Sequence, residues 1–408
     1  MDNPTVLRPA TEWELQRLLT EATQTNTTIE VVGAGTKRDI GRPTVASAVM
    51  TTTSLTGVRL YEPTELVMAA RAGTPLARIE SDLAAQGQML AFEPVDLAPV
   101  VGQEAGYASI GGVFAMNISG SRRIAVGAGR DHLLGVTAIS GAGTAFRSGG
   151  RVMKNVTGLD LARTLSGSWG TLGVLTEVTF KVMPRPEDVA TLILLGLDDA
   201  IAIEALTTAL GSPYEVSGAV HLQKELAGRL WHQGLKDEHS AVTAIRIENF
   251  TPSVAYRCER LKQDLKLFGD VHVLGTESST ALWHELRMLS VLQGTTAPLW
   301  RISTSPQNGP KVVRAITSFM TCHAWYDWGG GLVWAEVLPT SDAGAADIRR
   351  VMASHGGHAT LIRADAAVRG SIDVFHPLEP GVARITSRLK TVFDPAGILN
   401  RGRMYAAS

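Results

Sequence analysis

The sequence has little of the features that mark several large protein classes. Its 408 residues include only two cysteines, Cys258 and Cys322, far apart in the chain, which argues against a disulfide framework or a structural zinc site. The formal net charge is −1, and no block of basic residues creates a local positive patch. Because nucleic-acid binding depends on such patches, we do not expect nucleic acid as a partner.

The sequence also shows no pattern typical of an export signal or a membrane span. The first residues, MDNPTVLRPATEWE, carry acids and prolines where a secretory signal would have basic residues followed by an apolar run. Apolar stretches such as residues 190–197 are far shorter than the roughly 20 residues that span a bilayer. We therefore expect a cytoplasmic protein that reaches the inner face of the membrane only through partners.

Two nucleotide-binding motifs are absent as well. No G-x-x-x-x-G-K-[ST] sequence occurs, so a P-loop is excluded. The stretch Gly33-Ala-Gly-Thr-Lys-Arg38 follows a strand-like run, as a dinucleotide fingerprint does, but Arg38 stands where the third glycine belongs. The sequence thus disfavours a Rossmann NAD site.

Glycine is what the sequence has in unusual concentration. Sixteen of the 41 glycines fall between residues 102 and 173, and segments so short of side chains let the backbone approach a bulky ligand closely. Three clusters stand out, at 33–36, 111–120 and 167–173, the last within the stretch SGSWGTLG. Each alone is typical of a tight turn, but three clusters in one domain indicate an extended ligand, such as a dinucleotide that carries an isoalloxazine.

Periodicity divides the chain near residue 186. A helix that follows the capping box Thr11-Glu-Trp-Glu14 and a strand at 28–32 begin the first domain, which we assign to residues 1–186. Apolar strands at 189–197, 242–248, 331–338 and 359–363, with amphipathic helices between them, indicate an α+β second domain over residues 187–375. No repeat of fixed period is evident.

Four ordered motifs resemble the FAD loops of vanillyl-alcohol oxidase type flavoproteins, the p-cresol methylhydroxylase (PCMH) type. They are SIGGVFAMNISG at 109–120, GRDHLLG at 129–135, KNVTGLDL at 154–161 and SWGTLG at 168–173. The closing segment LKTVFDPAGILNRGR, residues 389–403, resembles the tail of the same enzymes. Three shorter stretches, at 90–94, 327–330 and 356–362, are similar to the FAD-binding E subunits of bacterial glycolate oxidases.

This resemblance implies a fold and a cofactor. The fold class is α+β: a PCMH-type FAD-binding domain of two α+β subdomains, then an α+β cap domain, with residues 376–408 returning toward the FAD domain. FAD is expected to be non-covalent, because the first loop lacks the histidine that covalently flavinylated relatives carry there. The first two glycine loops would hold the pyrophosphate, and the third would line the adenine and ribose. The FAD-binding residues implied are Gly33, Gly35, Thr36, Pro94, Ser109, Gly111, Gly112, Asn117, Ser119, Gly170, Thr171 and Val174.

Oxidation of a 2-hydroxy acid needs a cation for the carboxylate and an acceptor for the hydroxyl proton. The second domain covers the flavin in this architecture, so the candidate catalytic residues are Arg301, His358 and Arg363. Arg301 could equally be an interdomain or surface ion-pair partner. We expect no metal, because the one close histidine pair, His355 and His358, has no acid beside it. Four tryptophans indicate either core packing or a partner surface: Trp300, Trp325, Trp328 and Trp334.

Together these features predict the FAD-binding subunit of a glycolate oxidase complex, which oxidises glycolate or a similar 2-hydroxy acid to the 2-oxo acid. Two cysteines are too few for an iron–sulfur cluster, so electrons must leave to a partner subunit or a quinone. The resemblance implies a sister flavoprotein subunit and an iron–sulfur subunit. Two alternatives stand beside this one: a non-catalytic FAD-binding scaffold or electron-relay subunit, favoured by the missing metal-ligand histidines, and a stand-alone FAD-dependent D-2-hydroxyacid dehydrogenase.

The first loop generates a direct test of flavin attachment. Acid precipitation of the purified protein is expected to release all of the FAD into the supernatant, since nothing at residues 32–37 offers a histidine for a covalent bond. Visible absorbance of the supernatant and the pellet measures the two fractions. Yellow colour that stays with the precipitated chain contradicts the prediction.

Overall fold

The computed structural model describes residues 4–151 and 159–406. Lys154, in the third of the FAD-loop motifs, lies outside the described residues together with the rest of 152–158. Three regions are distinguished below: an N-terminal region, residues 4–184; a central region, residues 188–371; and a tail, residues 380–406.

The N-terminal region mixes short helices with ten strands. Its helices are α1 (Glu12–Thr25), α2 (Leu76–Ala84), α3 (Ile110–Met116), α4 (Arg123–Val126), α5 (Gly129–His132) and α6 (Leu161–Leu165). Its strands are β1 (Thr5–Leu7), β2 (Ile29–Val32), β3 (Ala48–Thr51), β4 (Val58–Glu62), β5 (Val67–Arg71), β6 (Gln88–Met89), β7 (Leu133–Ser140), β8 (Ala145–Gly149), β9 (Gly173–Lys181) and β10 (Met183–Pro184). A parallel sheet has the order β1-β3-β2, and a five-stranded antiparallel sheet has the order β4-β5-β9-β7-β8. The two sheets form separate subdomains.

Helix α1 shows how local sequence determines this region. The Thr11 hydroxyl accepts a hydrogen bond from the Glu14 amide at 3.1 Å, which satisfies one of the free donors at the helix start. The Glu14 carboxylate accepts from the amide of Ala10 instead of from that of Thr11, at 2.7 Å. Leu15 and Leu19 then bury one face of the helix.

The central region is built on one eight-stranded antiparallel sheet. Its strands are β11 (Asp188–Leu195), β12 (Val216–Leu222), β13 (Val242–Asn249), β14 (His272–Leu274), β15 (Leu299–Ser303), β16 (Cys322–Asp327), β17 (Leu332–Val337) and β18 (His358–Arg363). Its helices are α7 (Asp199–Leu210), α8 (Lys224–Ala227), α9 (Gln233–Lys236), α10 (Thr251–Leu265), α11 (Thr276–Arg287), α12 (Gly309–Thr317), α13 (Ala345–His355) and α14 (Ala366–Ser371). The strand order is β14-β11-β13-β12-β16-β17-β15-β18.

This sheet contains a structural repeat that the sequence does not display. The order β11-α7-β12-β13-α10-β14 is a βαββαβ unit, and β15-α12-β16-β17-α13-β18 is a second one. The two units join edge to edge where β12 pairs with β16, at His221 with Tyr326 and Leu222 with Trp325. Backbone topology can repeat without repeated residues because apolar positions of many kinds fill equivalent places in a core.

The two faces of the central sheet have different neighbours. Helices α7, α10, α12 and α13 cover one face with a continuous apolar core. On the other face, Trp325 and Trp334 pack with Val95 and Met116 of the N-terminal region. Trp300, Trp325 and Trp334 are fully buried, so core packing is the role that the structure shows for them.

A buried cluster of charges joins the N-terminal and central regions. Glu93 accepts hydrogen bonds from both Nη atoms of Arg246 on β13, at 2.9 and 3.2 Å. Arg122 lies 3.1 Å from Glu93 and donates to Glu248 at 2.8 and 3.0 Å. Burial alone would raise the pKa of Glu248, but the Arg246 and Arg122 guanidiniums lower it to about 2, from an ordinary value of 4.5. The stabilisation that this carboxylate contributes is therefore complete above pH 4.5 and is lost as the pH falls toward 2.

A second contact between these regions involves the segment 327–330. The Ser121 hydroxyl donates to the buried carboxylate of Asp327 at 2.8 Å, and Trp328 Nε1 donates to the carbonyl of Gly120 at 3.1 Å. Burial raises the pKa of Asp327 to about 7, although the hydrogen bonds from Ser121 and from the Trp328 amide oppose the shift. The stretch after Gly120 is thus held against the end of β16.

The tail returns to the N-terminal region. Its one helix is α15 (Pro380–Phe393). Phe393 at its end packs against Phe146 of β8, with ring centroids 5.5 Å apart. Beyond the helix, Leu399 forms a parallel bridge with Ile29 of β2. Among the described residues no helix is long and apolar enough to cross a membrane.

The charge cluster predicts a large cost for removing one carboxylate. Glu93→Gln is expected to lower the free energy of unfolding by about 3 kcal/mol or more, because Arg246 is left buried with a weaker partner. Denaturant unfolding at pH 7 measures the change. Glu21→Gln is the matched control, since Glu21 pairs with Arg17 at 3.6 Å on the surface of α1 and should change stability by less than about 1 kcal/mol. Equal effects of the two substitutions would contradict the structural role of the cluster.

Candidate functional site

An open cavity lies in the N-terminal region, between the parallel sheet and α3. The three glycine clusters of the sequence meet in its wall: residues 33–36, Gly111 and Gly112, and Gly170 with Gly173. Cofactor sites are typically concave and largely pre-formed. The cavity is therefore the principal candidate for a ligand site in the described part of the chain.

Eight of the twelve residues expected to bind a cofactor line this one cavity. They come from three separate stretches of the sequence: Gly33, Gly35, Thr36, Ser109, Gly111, Gly112, Gly170 and Val174. Among the described residues, none accepts a hydrogen bond from the amides of Gly35 and Thr36. Such amides are available to an anionic ligand.

Steric contacts explain why the wall tolerates so few side chains. A Cβ on Gly33 would overlap the hydroxyl of Ser109, and one on Gly111 would lie 2.7 Å from the Cβ of Ala72. Gly170 has φ +70° and would bring a Cβ within 2.8 Å of the Asn400 amide nitrogen. The amide of Gly111 donates to the Ala72 carbonyl at 2.8 Å, so this glycine serves a close approach of two backbones and offers no free amide to a ligand.

The other four expected residues do not line the cavity. Asn117 and Ser119 accept hydrogen bonds from the amides of Arg130 and Gly129, at 2.9 and 3.0 Å, and so hold the start of α5. The Thr171 hydroxyl donates to the carbonyl of Ser168 at 2.7 Å. Pro94 accepts from Arg287 Nε at 2.8 Å, across to the central region. In the structure these side chains and carbonyls support the loops around the cavity.

Two basic residues in the cavity wall were not singled out from the sequence. Lys37 is half-buried, and its Nζ lies 3.2 Å from the Thr36 hydroxyl. Burial lowers the pKa of Lys37, with partial compensation from Asp96. Arg403 reaches the wall from the tail and donates to the carbonyls of Lys37 and Ile40. Sequence features that could have indicated them are the position of Lys37 directly after the first glycine loop and the Gly402-Arg403 pair of the tail motif.

Residues of the tail motif hold the third glycine loop in place. The Asn400 side chain accepts from the Val31 amide at 2.8 Å and donates to the Trp169 carbonyl at 2.7 Å. Lys390 donates to the Thr171 carbonyl at 2.8 Å and to Asp394 at 2.7 Å. The far end of the sequence thus positions the strand and the loop on either side of the cavity.

Two of the three candidate catalytic residues lie on neighbouring strands of the central sheet. Arg301 on β15 is directly opposite Thr360 on β18, and Ser303 is opposite His358. Directly opposed residues project to the same face of a sheet, so Arg301 and His358 share one face. Arg301 is also opposite Trp334 on β17, which places this face toward the N-terminal region.

Arg301 lacks an ion-pair partner among residues 4–151 and 159–406, and its buried Nε has no hydrogen-bond acceptor there. Burial and the neighbouring Arg123 lower the pKa of Arg301 to about 10, with partial compensation from Asp327. Partial burial and nearby Arg301 and His376 also lower the pKa of His358. A neutral imidazole beside an unpaired guanidinium can accept a proton from a bound anion.

The third candidate, Arg363, has its guanidinium engaged by contacts within the protein. Its guanidinium donates to the carbonyls of Ala297, at 2.7 Å, and Val100, at 3.0 Å, and to that of Leu292. It also pairs with Glu336 at 3.0 Å. Arg363 is therefore paired within the fold, unlike Arg301.

No group of three or more His, Cys, Asp or Glu side chains with the geometry of a metal site occurs in the described ranges. The ring of His355 contacts the carbonyl of Val351, one turn back on α13, at 3.0 Å. Gly357, between the two histidines, has φ +100°, and a Cβ at this position would lie 3.0 Å from Thr304 Cα. The His-Gly-Gly-His stretch thus forms the tight entry of β18 beside β15.

Comparison with known proteins identifies this architecture. Residues 4–149 match the FAD binding domain family, and p-cresol methylhydroxylase has a similar fold, with a TM-score of 0.73 at 12% identity over 98% of this chain and 88% of that one. The chain is thus an α+β protein whose fold is similar to that of p-cresol methylhydroxylase and whose N-terminal region matches an FAD binding domain.

The sequence relatives narrow the family. The chain is 35% identical to the glycolate oxidase subunit GlcE of Escherichia coli over 95% of both chains. It is 28% identical to the glycolate oxidase subunit GlcD of Bacillus subtilis over 47% of this chain and 39% of that one. The chain belongs to the GlcE family of FAD-linked oxidoreductase subunits.

The tail contacts generate a prediction about the cavity wall. Asn400→Ala is expected to lower the free energy of unfolding by about 2 kcal/mol, because the Val31 amide and Trp169 carbonyl lose their partner, and to weaken FAD retention because the loop at 168–170 is released. Denaturant unfolding and flavin absorbance after gel filtration measure the two effects. Arg401→Ala, at the exposed neighbouring position, is the control and should change neither. Full stability and flavin content in N400A would contradict the role of the tail.

Proposed function

We propose that FAD occupies the cavity formed by the three glycine loops. The pyrophosphate would lie against the amides of residues 33–36, with Lys37 as the nearest cation, and the adenine and ribose would lie along Gly170 and Val174. The proposal is supported by the convergence of eight expected residues on one cavity. A half-buried lysine whose side chain hydrogen-bonds only a hydroxyl within residues 4–151 and 159–406 also favours a polyanionic ligand.

We further propose that the chain oxidises glycolate or a similar small 2-hydroxy acid to the 2-oxo acid. Bound FAD supplies a hydride acceptor. Arg301 would bind the substrate carboxylate through its planar guanidinium. His358, whose lowered pKa favours the neutral imidazole at pH 7, would accept the hydroxyl proton. The observation that carries this proposal is the unpaired, half-buried Arg301 on the face of the central sheet that meets the N-terminal region.

Electrons must then leave this chain. Its two cysteines are buried and unpaired, which leaves no ligand set for an iron–sulfur cluster. We propose a complex with a sister flavoprotein subunit and an iron–sulfur subunit, located in the cytoplasm or at the inner membrane face through those partners. In this complex residues 1–186 would form the FAD domain, residues 187–375 the cap, and residues 376–408 the returning segment.

Anaerobic reduction tests the proposed reaction. Adding glycolate to the isolated, FAD-loaded chain is expected to bleach the visible flavin band, since the substrate residues all come from this chain. A flavin band that persists would contradict catalysis by this subunit and favour the scaffold alternative. Sustained turnover with an artificial acceptor and no partner would favour a stand-alone dehydrogenase.

The same titration with Arg301→Lys tests the substrate residue. The rate of bleaching should fall at least tenfold because an ammonium cannot form two parallel hydrogen bonds to a carboxylate, while the flavin content stays the same. Arg350→Lys is the matched control, because Arg350 pairs with Asp347 at 2.9 Å on the outside of α13. Unchanged reduction kinetics in R301K would remove Arg301 from the site.

A further inference from the structure

A second arginine lies beside the proposed substrate residue but belongs to a different region of the chain. Arg123 begins α4, directly after the second glycine loop, and its guanidinium carbon lies 4.3 Å from the ring centroid of Trp328. The guanidinium carbon of Arg301 lies 5.1 Å from the centroid of the same ring. One indole therefore holds two guanidiniums, one from the N-terminal region and one from the central sheet.

Asp131 acts electrostatically on Arg123 and Asp327 on Arg301, but neither carboxylate forms an ion pair with these arginines among the described residues. Arg123 forms no ion pair or side-chain hydrogen bond with any residue in the described ranges, and the pKa values of Arg123 and Arg301 are both lowered, chiefly by burial. Arg122, the preceding residue, makes the contrast clear, since its guanidinium is paired with Glu93 and Glu248. Two like charges kept close in a half-buried place are unfavourable unless an anion joins them.

The second glycine loop connects the cavity wall to the segment that carries Arg123. Met116, in the cavity wall, packs in the same apolar cluster as Trp169, Trp328 and Trp334. Four residues further on, Gly120 accepts the hydrogen bond from Trp328 Nε1, and α4 follows. The segment from α3 to α4 thus runs from the cavity wall to Arg123 within a few residues.

We propose that Arg123 is a second carboxylate-binding residue, which with Arg301 holds the carboxylate of the substrate beside Trp328. This inference rests on the proposed function. It makes the substrate site a joint product of the N-terminal and central regions. It also assigns selectivity for acids over uncharged alcohols to a pair of arginines, since a neutral ligand leaves both charges unpaired.

Binding of a non-reducing dicarboxylate measures this role without turnover. Oxalate is titrated into the FAD-loaded full-length chain, and perturbation of the flavin spectrum gives the Kd. We expect Arg123→Gln to raise the Kd at least tenfold and Arg123→Lys to recover part of the loss, with flavin content and unfolding midpoint unchanged. Arg163→Gln is the matched control, because Arg163 is an exposed arginine that pairs with Asp160 at 3.6 Å on α6 and should leave the Kd unchanged.

The outcomes separate this inference from the proposed function. Normal oxalate affinity in R123Q, with weakened affinity in R301K, would overturn the role of Arg123 and leave the proposed reaction standing. Loss of FAD from R123Q would also overturn it, because the anion bound by Arg123 would then be the cofactor phosphate. If the unsubstituted chain neither binds oxalate nor is bleached by glycolate, both proposals fall.

Discussion

The buried carboxylate of Glu93 is the contact on which the arrangement of the regions depends. It lies on the N-terminal side of the interface, yet its partner Arg246 belongs to the middle of the central sheet. Burial would raise the pKa of Glu93, but Arg246 and Arg122 lower it on balance, so the group is ionised and must stay paired. A buried charge tolerates little displacement of its partner, and the central sheet is consequently held at a fixed place over the loop that carries Arg122 and Arg123.

The glycine loops are positioned from outside as much as by their own sequence. Trp169 has φ +55° and lies between two glycines that also have positive φ, Gly167 and Gly170. Such a backbone is unfavourable for a tryptophan, and it is retained because Asn400 binds the Trp169 carbonyl. Tail residues therefore compensate for the strain of this loop, which places Trp169, Gly170 and Gly173 in the cavity wall.

Arginine has two opposite roles in this molecule, and neighbours in the chain illustrate both. Arg122 and Arg363 are saturated by carboxylates and carbonyls and so stabilise the interior. Among the described residues, Arg123 and Arg301 form no ion pair and lie against indole rings, Trp328 for both and also Trp334 for Arg301. Arg123 and Arg301 lie where the N-terminal and central regions meet. Ligands commonly bind at such interfaces in two-domain proteins. Charge left unbalanced by folding is thus a better guide to the site than residue type.

The sequence by itself determined the α+β class, the FAD loops and their glycines, because backbone that must approach a ligand or another strand excludes a Cβ at each such position. It also singled out Arg301 and His358 through their residue types. It could not separate Arg363 from Arg301, or Arg122 from Arg123, because the difference lies in partners far away in the chain. The sequence likewise did not predict the repeated βαββαβ unit of the central sheet, since two cores with the same topology can be filled by different apolar residues. Only the tertiary structure decided which charges are paired, because pairing depends on long-range contacts that no local pattern records.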